Sequence, residues 1–229
     1  MKKAQFEEFL KSLRYCQQCS NFKCQTKNLI NIYEDYEFAI NIPSIWTDWF
    51  SRLESKLMII GQDWGPYQDM KYLNSLLEID KKNWKKIIEL EKSNTKKLLS
   101  YYIEESSNHR YCLDNIFITN AILCARNGSN YRGNNISLEK STIFCSSHLL
   151  EQIKIVKPKV IVTLGYYPLL SLSKTLGFEI RKNLKETIKE FPEIKIANYI
   201  IVPQFHPVAQ IKKEIQLEQY RRIWKYLDE

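Results

Sequence analysis

Four stretches of the chain are almost continuously apolar and rich in β-branched residues. They are KLMIIG, NIFITNAIL, KVIVTLG and NYIIVPQ, at residues 56–61, 115–123, 159–165 and 198–204. Strands buried on both faces of a parallel sheet have this composition, whereas strands with one wet face alternate apolar and polar residues. The four stretches therefore predict the strands of a parallel sheet.

Helical patterns flank and separate these strands. At the N terminus, Phe6, Phe9, Leu10 and Leu13 recur at helical spacing. Other helices are predicted at residues 82–93, 94–105, 141–156, 166–177 and 208–227, with a loop and a short amphipathic helix at 41–56. The helix at 141–156 is expected to start on Ser141, and the next to end at Gly177 as its C-cap.

The alternation of strands and helices predicts the fold class. Parallel strands need crossover connections, and the helices in those crossovers cover both faces of the sheet. We expect an α/β protein, a three-layer α/β/α sandwich with a central parallel four-stranded sheet. No linker interrupts residues 1–229, which predicts a single domain with the N-terminal helix and cysteine segment 1–30 packed on it.

The charge balance allows two interpretations. The chain has 34 Lys and Arg residues against 26 Asp and Glu residues, a net charge of +8. This excess suits a polyanionic partner such as nucleic acid. It is equally typical of a Lys-, Ile- and Asn-rich composition whose basic surface is only solvated.

Neither a secretion signal nor a membrane span is predicted. The segment MKKAQFEEFLKSLRYC lacks the apolar centre of a signal peptide, and no apolar run is long enough to cross a bilayer. We therefore expect a cytoplasmic protein, in which thiols stay reduced. The 6 cysteines then need an explanation other than disulfide bonds.

Polar and conformationally special residues lie at the ends of all four predicted strands. The segments are GQDWGPYQD at the first strand, TNAILCARNG at the second, TLGYY at the third and QFHPVAQ at the fourth. Ligands of open parallel sheets bind beyond the carboxyl ends of the strands. The sequence thus predicts a binding or active site at this edge of the sheet.

The first of these segments contains two glycines and two carboxylates. Gly61 and Gly65 would let the backbone approach a flat ligand closely. Asp63 and Asp69 could orient or deprotonate a water molecule, or cap the N terminus of a helix, as Asp commonly does. The residues alone leave both roles open.

Asn120 and His206 are notable polar side chains at the second and fourth strands. A buried Asn needs hydrogen-bond partners, either from a ligand with adjacent carbonyl and N–H groups or from neighbouring backbone. His206, which precedes a proline, could stabilise developing negative charge or make a structural hydrogen bond. His109 and His148 fit the structural role.

The cysteines suggest a metal site. The two residues of a CxxC hook and two distant cysteines could meet in the fold: Cys16, Cys19, Cys124 and Cys145. Four thiolates suit zinc or an iron–sulfur cluster, and six inert thiols are the alternative. Cys24 could replace one of the four, whereas Cys112 is expected to be a small buried hydrophobe.

The order of the motifs resembles the uracil-DNA glycosylase superfamily, most closely its iron–sulfur, family 4-type branch. The motifs are GQDWGPYQD, TNAILC, a Cys before LLEQIKIVKPKVIVTLG, and HP. Proteins of that branch begin with CxxC, carry a Cys four residues after Thr-Asn, and end the fourth strand on His-Pro. The likeness covers nearly the whole chain.

This resemblance implies an activity, a cofactor and a partner. The activity is hydrolysis of the N-glycosidic bond of uracil, or of a related deaminated base, flipped out of DNA in base excision repair. The implied cofactor is a four-iron–four-sulfur cluster held by Cys16, Cys19, Cys124 and Cys145, with structural zinc as the alternative. The implied partner is DNA containing such a base, and we expect a monomer.

The first motif departs from the family 4-type pattern. Gln62 and Asp63 replace its Glu-Ala, and Gly-Gln-Asp is similar to another branch, whose Asp activates water. Trp64 stands where either branch has Pro. Gln68 and Asp69 fall on a Glu-Asp pair of the family 4-type motif. A changed base specificity is therefore an alternative to uracil.

The Phe on which the family stacks the base is also missing, and Tyr67 or Tyr72 could replace it. We expect two catalytic residues, Asp63 and His206, and six substrate-binding residues, Gly61, Gln62, Gly65, Tyr67, Asp69 and Asn120. Asn120 would read the Watson–Crick edge and His206 would donate to the base carbonyl. The departures leave a second hypothesis open, a weak or inactive iron–sulfur module that binds nucleic acid or a protein.

Overall fold

The computed structural model describes residues 1–17, 29–35, 48–79, 93–128 and 138–228. The helices are α1 (Lys2–Arg14), α2 (Tyr67–Ile79), α3 (Asn94–Ser106), α4 (Leu138–Phe144), α5 (Ser146–Val156), α6 (Tyr166–Leu176), α7 (Leu184–Glu190) and α8 (Lys213–Leu227). The strands are β1 (Leu29–Ile30), β2 (Leu57–Gly61), β3 (Phe117–Asn120), β4 (Ala125–Arg126), β5 (Val160–Leu164), β6 (Ile194–Ile196) and β7 (Tyr199–Gln204). Short 3-10 helices lie at Ile32–Glu34, Trp49–Ser51 and Leu113–Asn115.

The main sheet has the strand order β3-β2-β5-β7-β6. The first four of these strands run parallel, and the edge strand β6 pairs antiparallel with β7. The register aligns Gly61 with Asn120 and Leu164 with Gln204. The carboxyl ends of the parallel strands therefore lie side by side along one edge.

The parallel strands are buried on both faces, as their composition predicts. In β2, Leu57 and Ile59 belong to an apolar cluster with residues of α3 and α8. Met58 and Ile60 belong to another cluster, with residues of α1, α5 and α6. The protein is therefore a three-layer α/β/α sandwich, which confirms the predicted fold class.

Helix α1 packs on this sandwich through the residues that its pattern selects. Phe6, Phe9, Leu10 and Leu13 are all buried. The rings of Phe6 and Trp49 meet edge to face, with 5.4 Å between their centroids. Burial of each large apolar side chain contributes about 1.5–3 kcal/mol, so this stripe is enough to hold the helix in place.

Two helix predictions need correction. The predicted helix at 141–156 is two helices, α4 and α5, and Cys145 between them is the N-cap of α5. Ser141 is buried inside α4 rather than at its start. The last helix begins at Lys213 and not near residue 208, because the residues after β7 form turns and bends.

Other boundaries agree with the sequence or differ in detail. Gly177 is the C-cap of α6 with a φ of 75°, which confirms that prediction. Strand β3 stops at Asn120, before the end of the predicted strand at 115–123. The antiparallel edge strand β6 and the small sheet of β1 and β4 are not predicted, because strands of two or three residues leave no periodic pattern.

Some predicted elements lie outside the described residues. The helix at 82–93 does so except for Ser93, which is the N-cap of α3. Of the segment 41–56, the part from Asp48 onward is described, and it contains the 3-10 helix Trp49–Ser51. None of the helices in the described ranges combines the length and the apolar content that crossing a membrane requires.

Candidate active site

The ends of β2 and β3 approach each other closely. A β-carbon built on Gly61 would lie 2.4 Å from Asn120 Oδ1, far inside contact distance. Glycine therefore leaves the space that the Asn120 amide occupies. Asn120 is 8% exposed, and no group in the described part of the chain hydrogen-bonds its amide.

Asn120 belongs to a row of four residues that crosses the sheet on the face covered by α3 and α8. The row is Asn120, Gly61, Leu164 and Gln204 in strand order. Ile118 and Val202, each two residues earlier in a strand, lie in the apolar cluster of that face, and side chains alternate along strands. Gln204 is 1% exposed, and its Nε2 has no acceptor among the described residues.

Asp63 holds the loop that follows β2. Its Oδ1 accepts hydrogen bonds from the Gly65 amide at 2.7 Å and from Arg126 Nε at 3.1 Å. Its Oδ2 accepts one from Gln62 Nε2 at 3.0 Å. The side chains of Asp63 and Arg126 are 5% and 16% exposed, so this ion pair is largely buried. Asp63 does not cap α2, which begins at Tyr67.

Backbone contacts fix the same loop against the segment after β3. The Ile122 amide donates to the Gln62 carbonyl, and the Arg126 amide donates to the Gly65 carbonyl, each at 2.9 Å. Gly65 has a φ of 88°, a conformation that residues with a β-carbon rarely adopt. Trp64 packs against the apolar cluster that includes α1. Backbone hydrogen bonds and packing of Trp64 therefore both hold this loop.

His206 follows β7, and its ring is half-buried. Burial lowers the pKa of His206 below its ordinary value of 6.5, and the negative charge of Asp63 raises it to a smaller extent. The imidazole is therefore predominantly neutral at neutral pH. The charge of Asp63 acts on this ring, and no hydrogen bond engages the ring within the described residues.

The other predicted substrate-binding residues differ in exposure. Tyr67, the first residue of α2, is half-buried and packs against the apolar cluster that includes α1. Tyr72 is largely exposed, further along the same helix. Gln68 and Asp69 are exposed in the first turn of α2. Of the two acids in this segment, Asp63 is thus the one that the fold encloses.

Three of the four predicted metal ligands line one cavity. It is bordered by Leu13, Cys16, Asn31, Tyr33, Leu123, Cys124, Cys145 and His148. Cys16 Sγ lies 3.1 Å from His148 Nε2. The fourth predicted ligand, Cys19, and its alternative, Cys24, lie outside the described residues.

The remaining described cysteine, Cys112, is half-buried away from this cavity, where its thiol contacts Asn115 Oδ1 at 3.3 Å. Within the described ranges, no three His, Cys, Asp or Glu side chains are grouped closely enough to hold a metal ion. Cys112 is half-buried, whereas the sequence predicts a buried side chain.

Burial shifts the pKa of two groups in the cysteine cavity. Burial raises the pKa of the Tyr33 hydroxyl well above 10.0, and the nearby Cys124 and Cys145 act in the same direction. Burial lowers the pKa of His148, which keeps that imidazole neutral. The cavity is therefore a poorly solvated place in which thiols, a phenol and an imidazole meet.

Arg126 is the site residue that the sequence does not single out. Its partner Asp63 is 63 positions away, so no local pattern joins them. The available signal was its place two residues after Cys124, in the segment that follows β3. His148, expected to be structural, proves to contact a predicted metal ligand.

Comparison with known proteins gives two findings. The sequence model of the uracil DNA glycosylase superfamily matches residues 48–228, which include all of the main sheet and the loops described above. A type-4 uracil-DNA glycosylase of Sulfurisphaera tokodaii is 30% identical over 116 residues, 48% of this chain and 50% of that protein. The match thus spans about half the length of this relative. Both findings confirm the resemblance seen in the motifs, and the chain belongs to the uracil DNA glycosylase superfamily.

Proposed function

We propose that the protein is a DNA glycosylase that hydrolyses the N-glycosidic bond of uracil, or of a related deaminated base, in DNA. The observation that carries the proposal is an amide, an acid and an imidazole at one edge of the sheet. Asn120 ends β3 beside Gly61, and the charge of Asp63 acts on His206. The superfamily match and the type-4 relative support this class of reaction.

Asn120 is proposed to bind the Watson–Crick edge of the flipped base. Its amide offers one acceptor and two donors, which match the adjacent N–H and carbonyl groups of uracil. In the described part of the chain no group hydrogen-bonds this amide, although it is 8% exposed. A buried polar group without a partner costs about 1–3 kcal/mol, so a base with complementary groups is favoured at this position.

His206 and Asp63 are proposed to stabilise the separating charges. Cleavage leaves negative charge on the base, to which a neutral imidazole N–H can donate. The lowered pKa of His206 supports the neutral form. The sugar becomes positive, and the Asp63 carboxylate can stabilise it and orient water. Asp63 Oδ2 accepts one hydrogen bond within the described residues, which leaves it capacity for another.

The rest of the loop is proposed to shape the pocket. Gly61 and Gly65 would let the backbone approach the base, and Gln62 would stay beside the carboxylate that it already contacts. Tyr67 is favoured over Tyr72 for stacking on the base, because it lies nearer the loop and is partly fixed by packing. Asp69, which is exposed, would contact the DNA around the flipped base rather than the base itself.

A four-iron–four-sulfur cluster is the proposed cofactor, held by Cys16, Cys124, Cys145 and, outside the described residues, Cys19. The donor set fits, since three thiols line one poorly solvated cavity. Structural zinc is the alternative, because four thiolates suit it as well. The cluster would join the parts of the chain that carry these cysteines around one cavity.

DNA is the proposed partner, bound by a monomer. The net charge of +8 supports sequence-independent contacts with phosphates. Flipping a base out of a duplex costs a few kcal/mol and is easiest for mismatched or single-stranded bases. We therefore expect single strands and mismatched duplexes to be the better substrates.

A base-excision panel tests the proposal. Oligonucleotides containing uracil, hypoxanthine or xanthine, as single strands and duplexes, are incubated with the protein, and abasic sites are read as strand breaks after alkali. We expect release of at least one deaminated base, and we expect Asp63→Asn to remove most turnover while DNA affinity stays nearly unchanged. A wild-type protein inert on every base would refute the proposal. Full activity of Asp63→Asn would assign the acid's role to Asp69 or another group.

A second candidate function is binding without cleavage, by a weak or inactive module on the same fold. The altered first motif favours it, because Trp64 stands where the family has Pro and the base-stacking Phe is missing. Single-turnover assays with protein in excess discriminate the two functions. Slow but complete release of base indicates an enzyme, whereas tight DNA binding with no abasic sites indicates a binding module.

A further inference from the structure

We propose that Arg126 is a positioning residue for Asp63: its guanidinium fixes the carboxylate of the acid and thereby sets the rate of bond cleavage. Arg126 acts through Asp63 and does not touch the base. The inference rests on the proposed glycosylase function, because the rate that it governs is that of base excision.

The first support is the geometry of the ion pair. Arg126 Nε donates to Asp63 Oδ1 at 3.1 Å, and both side chains are largely buried. Charges in a poorly solvated site attract each other more strongly than on the surface. A carboxylate that loses its partner in such a site is left with an uncompensated charge, so it reorients or becomes solvated.

The second support is the direction in which the carboxylate is held. Two donors, the Gly65 amide at 2.7 Å and Arg126 Nε, bind Oδ1, while Gln62 binds Oδ2. A carboxylate accepts about four hydrogen bonds in all. Arg126 therefore helps to decide which oxygen keeps an unused lone pair, and hence where an attacking water can be held.

The third support is that Arg126 binds the loop through its backbone as well. Its amide donates to the Gly65 carbonyl at 2.9 Å, and a bridge pairs it with Pro66. A β-carbon added at Gly65 would lie 3.9 Å from Arg126 Nη2, so the guanidinium lies next to the loop. Side chain and backbone thus hold the same turn.

The same residue joins the acid to the cysteine cavity. Arg126 lies two residues after Cys124, and β4 pairs with β1 so that Arg126 faces Leu29. Strand β1 continues into Asn31 and Tyr33, which line the cavity with Cys124. A short stretch of chain therefore connects the cavity to Asp63, and damage to the cavity should reach the acid through Arg126.

A double-mutant cycle tests the inference. Single-turnover excision and DNA affinity are measured for wild type, Arg126→Ala, Asp63→Asn and the double variant. Because a small misplacement of a reacting group can cost about a hundredfold in rate, we expect Arg126→Ala to slow excision between tenfold and a hundredfold with unchanged DNA affinity. In the Asp63→Asn background the same change should have almost no further effect. Additive effects, or a loss of DNA affinity that explains the slower rate, would overturn the inference.

Two variants separate positioning from folding. Arg126→Lys keeps a charge that can reach one carboxylate oxygen, so it should recover part of the rate that Arg126→Ala loses. Arg110→Ala removes an exposed ion pair with Asp228 and should leave excision unchanged. Thermal unfolding of each variant shows whether it is folded. An Arg126→Lys protein that folds normally yet excises no faster than Arg126→Ala would contradict the inference.

A readout without catalysis distinguishes this inference from the proposed function. Amide hydrogen exchange of Gly65 reports the bond from its N–H to Asp63. We expect Arg126→Ala to speed this exchange at least tenfold relative to amides of β5. If wild-type protein excises no base, the proposed function fails while the exchange result still decides whether Arg126 holds Asp63. Unchanged exchange would reject the positioning role.

Discussion

Gly61 and Asn120 face each other in register at the ends of β2 and β3, and a β-carbon on Gly61 would lie 2.4 Å from Asn120 Oδ1. Gly61→Ala should therefore push the Asn120 amide out of place. Because the clash is with the end of a side chain, the fold should accommodate it with little loss of stability. We expect excision to fall by at least about tenfold, since a misaligned amide leaves buried polar groups unpaired. Single-turnover rates with uracil-containing DNA measure this.

Gly177→Ala is the matched control for that substitution. Gly177 caps α6 with a φ of 75°, so an added β-carbon should lower the free energy of unfolding by about 1 kcal/mol. It lies away from the strand ends and should leave excision unchanged. If Gly61→Ala lowered stability as Gly177→Ala does and kept full activity, the steric link between Gly61 and Asn120 would have no functional consequence.

Acid pH should slow excision as His206 takes up a proton. Burial holds the pKa of His206 below 6.5 in the folded protein. For a group whose folded pKa is lowered, stability is fully present above the unfolded value and is lost as the pH falls through the folded value. The stability contribution of His206 should therefore decline as the pH falls below about 6.5, whereas the rate should decline at lower pH, as the imidazole of the folded protein takes up its proton. Single-turnover rates and thermal unfolding between about pH 5 and pH 8 record both.

Removing the charge of Asp63 should lower the pKa of His206 further. The Asp63 carboxylate raises the pKa of His206, so Asp63→Asn should move the imidazole titration to lower pH. Nitrogen NMR of the 3 histidines can follow it directly. A His206 titration that stays in place would mean that the two groups do not interact.

Cysteine substitutions should show which cysteines hold the proposed cofactor. If Cys124 and Cys145 hold an iron–sulfur cluster, changing either to Ser should remove iron and visible absorption from anaerobically purified protein. Cys112→Ser, away from the cavity, should change neither. Iron analysis and absorption spectra provide the measurement. Equal iron content in all three variants, or zinc in place of iron, would contradict the proposed cofactor.

The candidate-site residues that can be predicted from the sequence are those at the ends of apolar strands. Gly61 is found from the sequence because it ends a continuous apolar run, and Asn120 because it is a polar residue near the end of another such run. Runs buried on both faces imply parallel strands. His206 is found because it lies just after the last predicted strand and directly before a proline. Parallel strands bring their carboxyl ends together, so the common edge follows from the strand assignment alone.

The contacts within the site depend on distances that no local pattern encodes. Asp63 and Arg126 are 63 positions apart, and nothing in the first motif indicates that an arginine will hold its acid. Cys145 shows a similar limit, because the helical pattern on both sides of it hides the break between α4 and α5. Neither feature can therefore be found from the residues that lie near it in the sequence.

Gln204 offers a test in which stability and activity should move in opposite directions. Its Nε2 is buried and has no acceptor among the described residues, so Gln204→Met should raise the free energy of unfolding by about 1 kcal/mol. Gln216→Met in α8, another buried amide without described partners, should stabilise to a similar extent and leave excision unchanged. Because Gln204 shares a row and a face with Asn120, we expect Gln204→Met alone to slow excision or to change the preferred base. Chemical denaturation measures the change in stability, and the oligonucleotide panel measures the change in excision. Identical behaviour of both variants would show that Gln204 does not contribute to binding of the base.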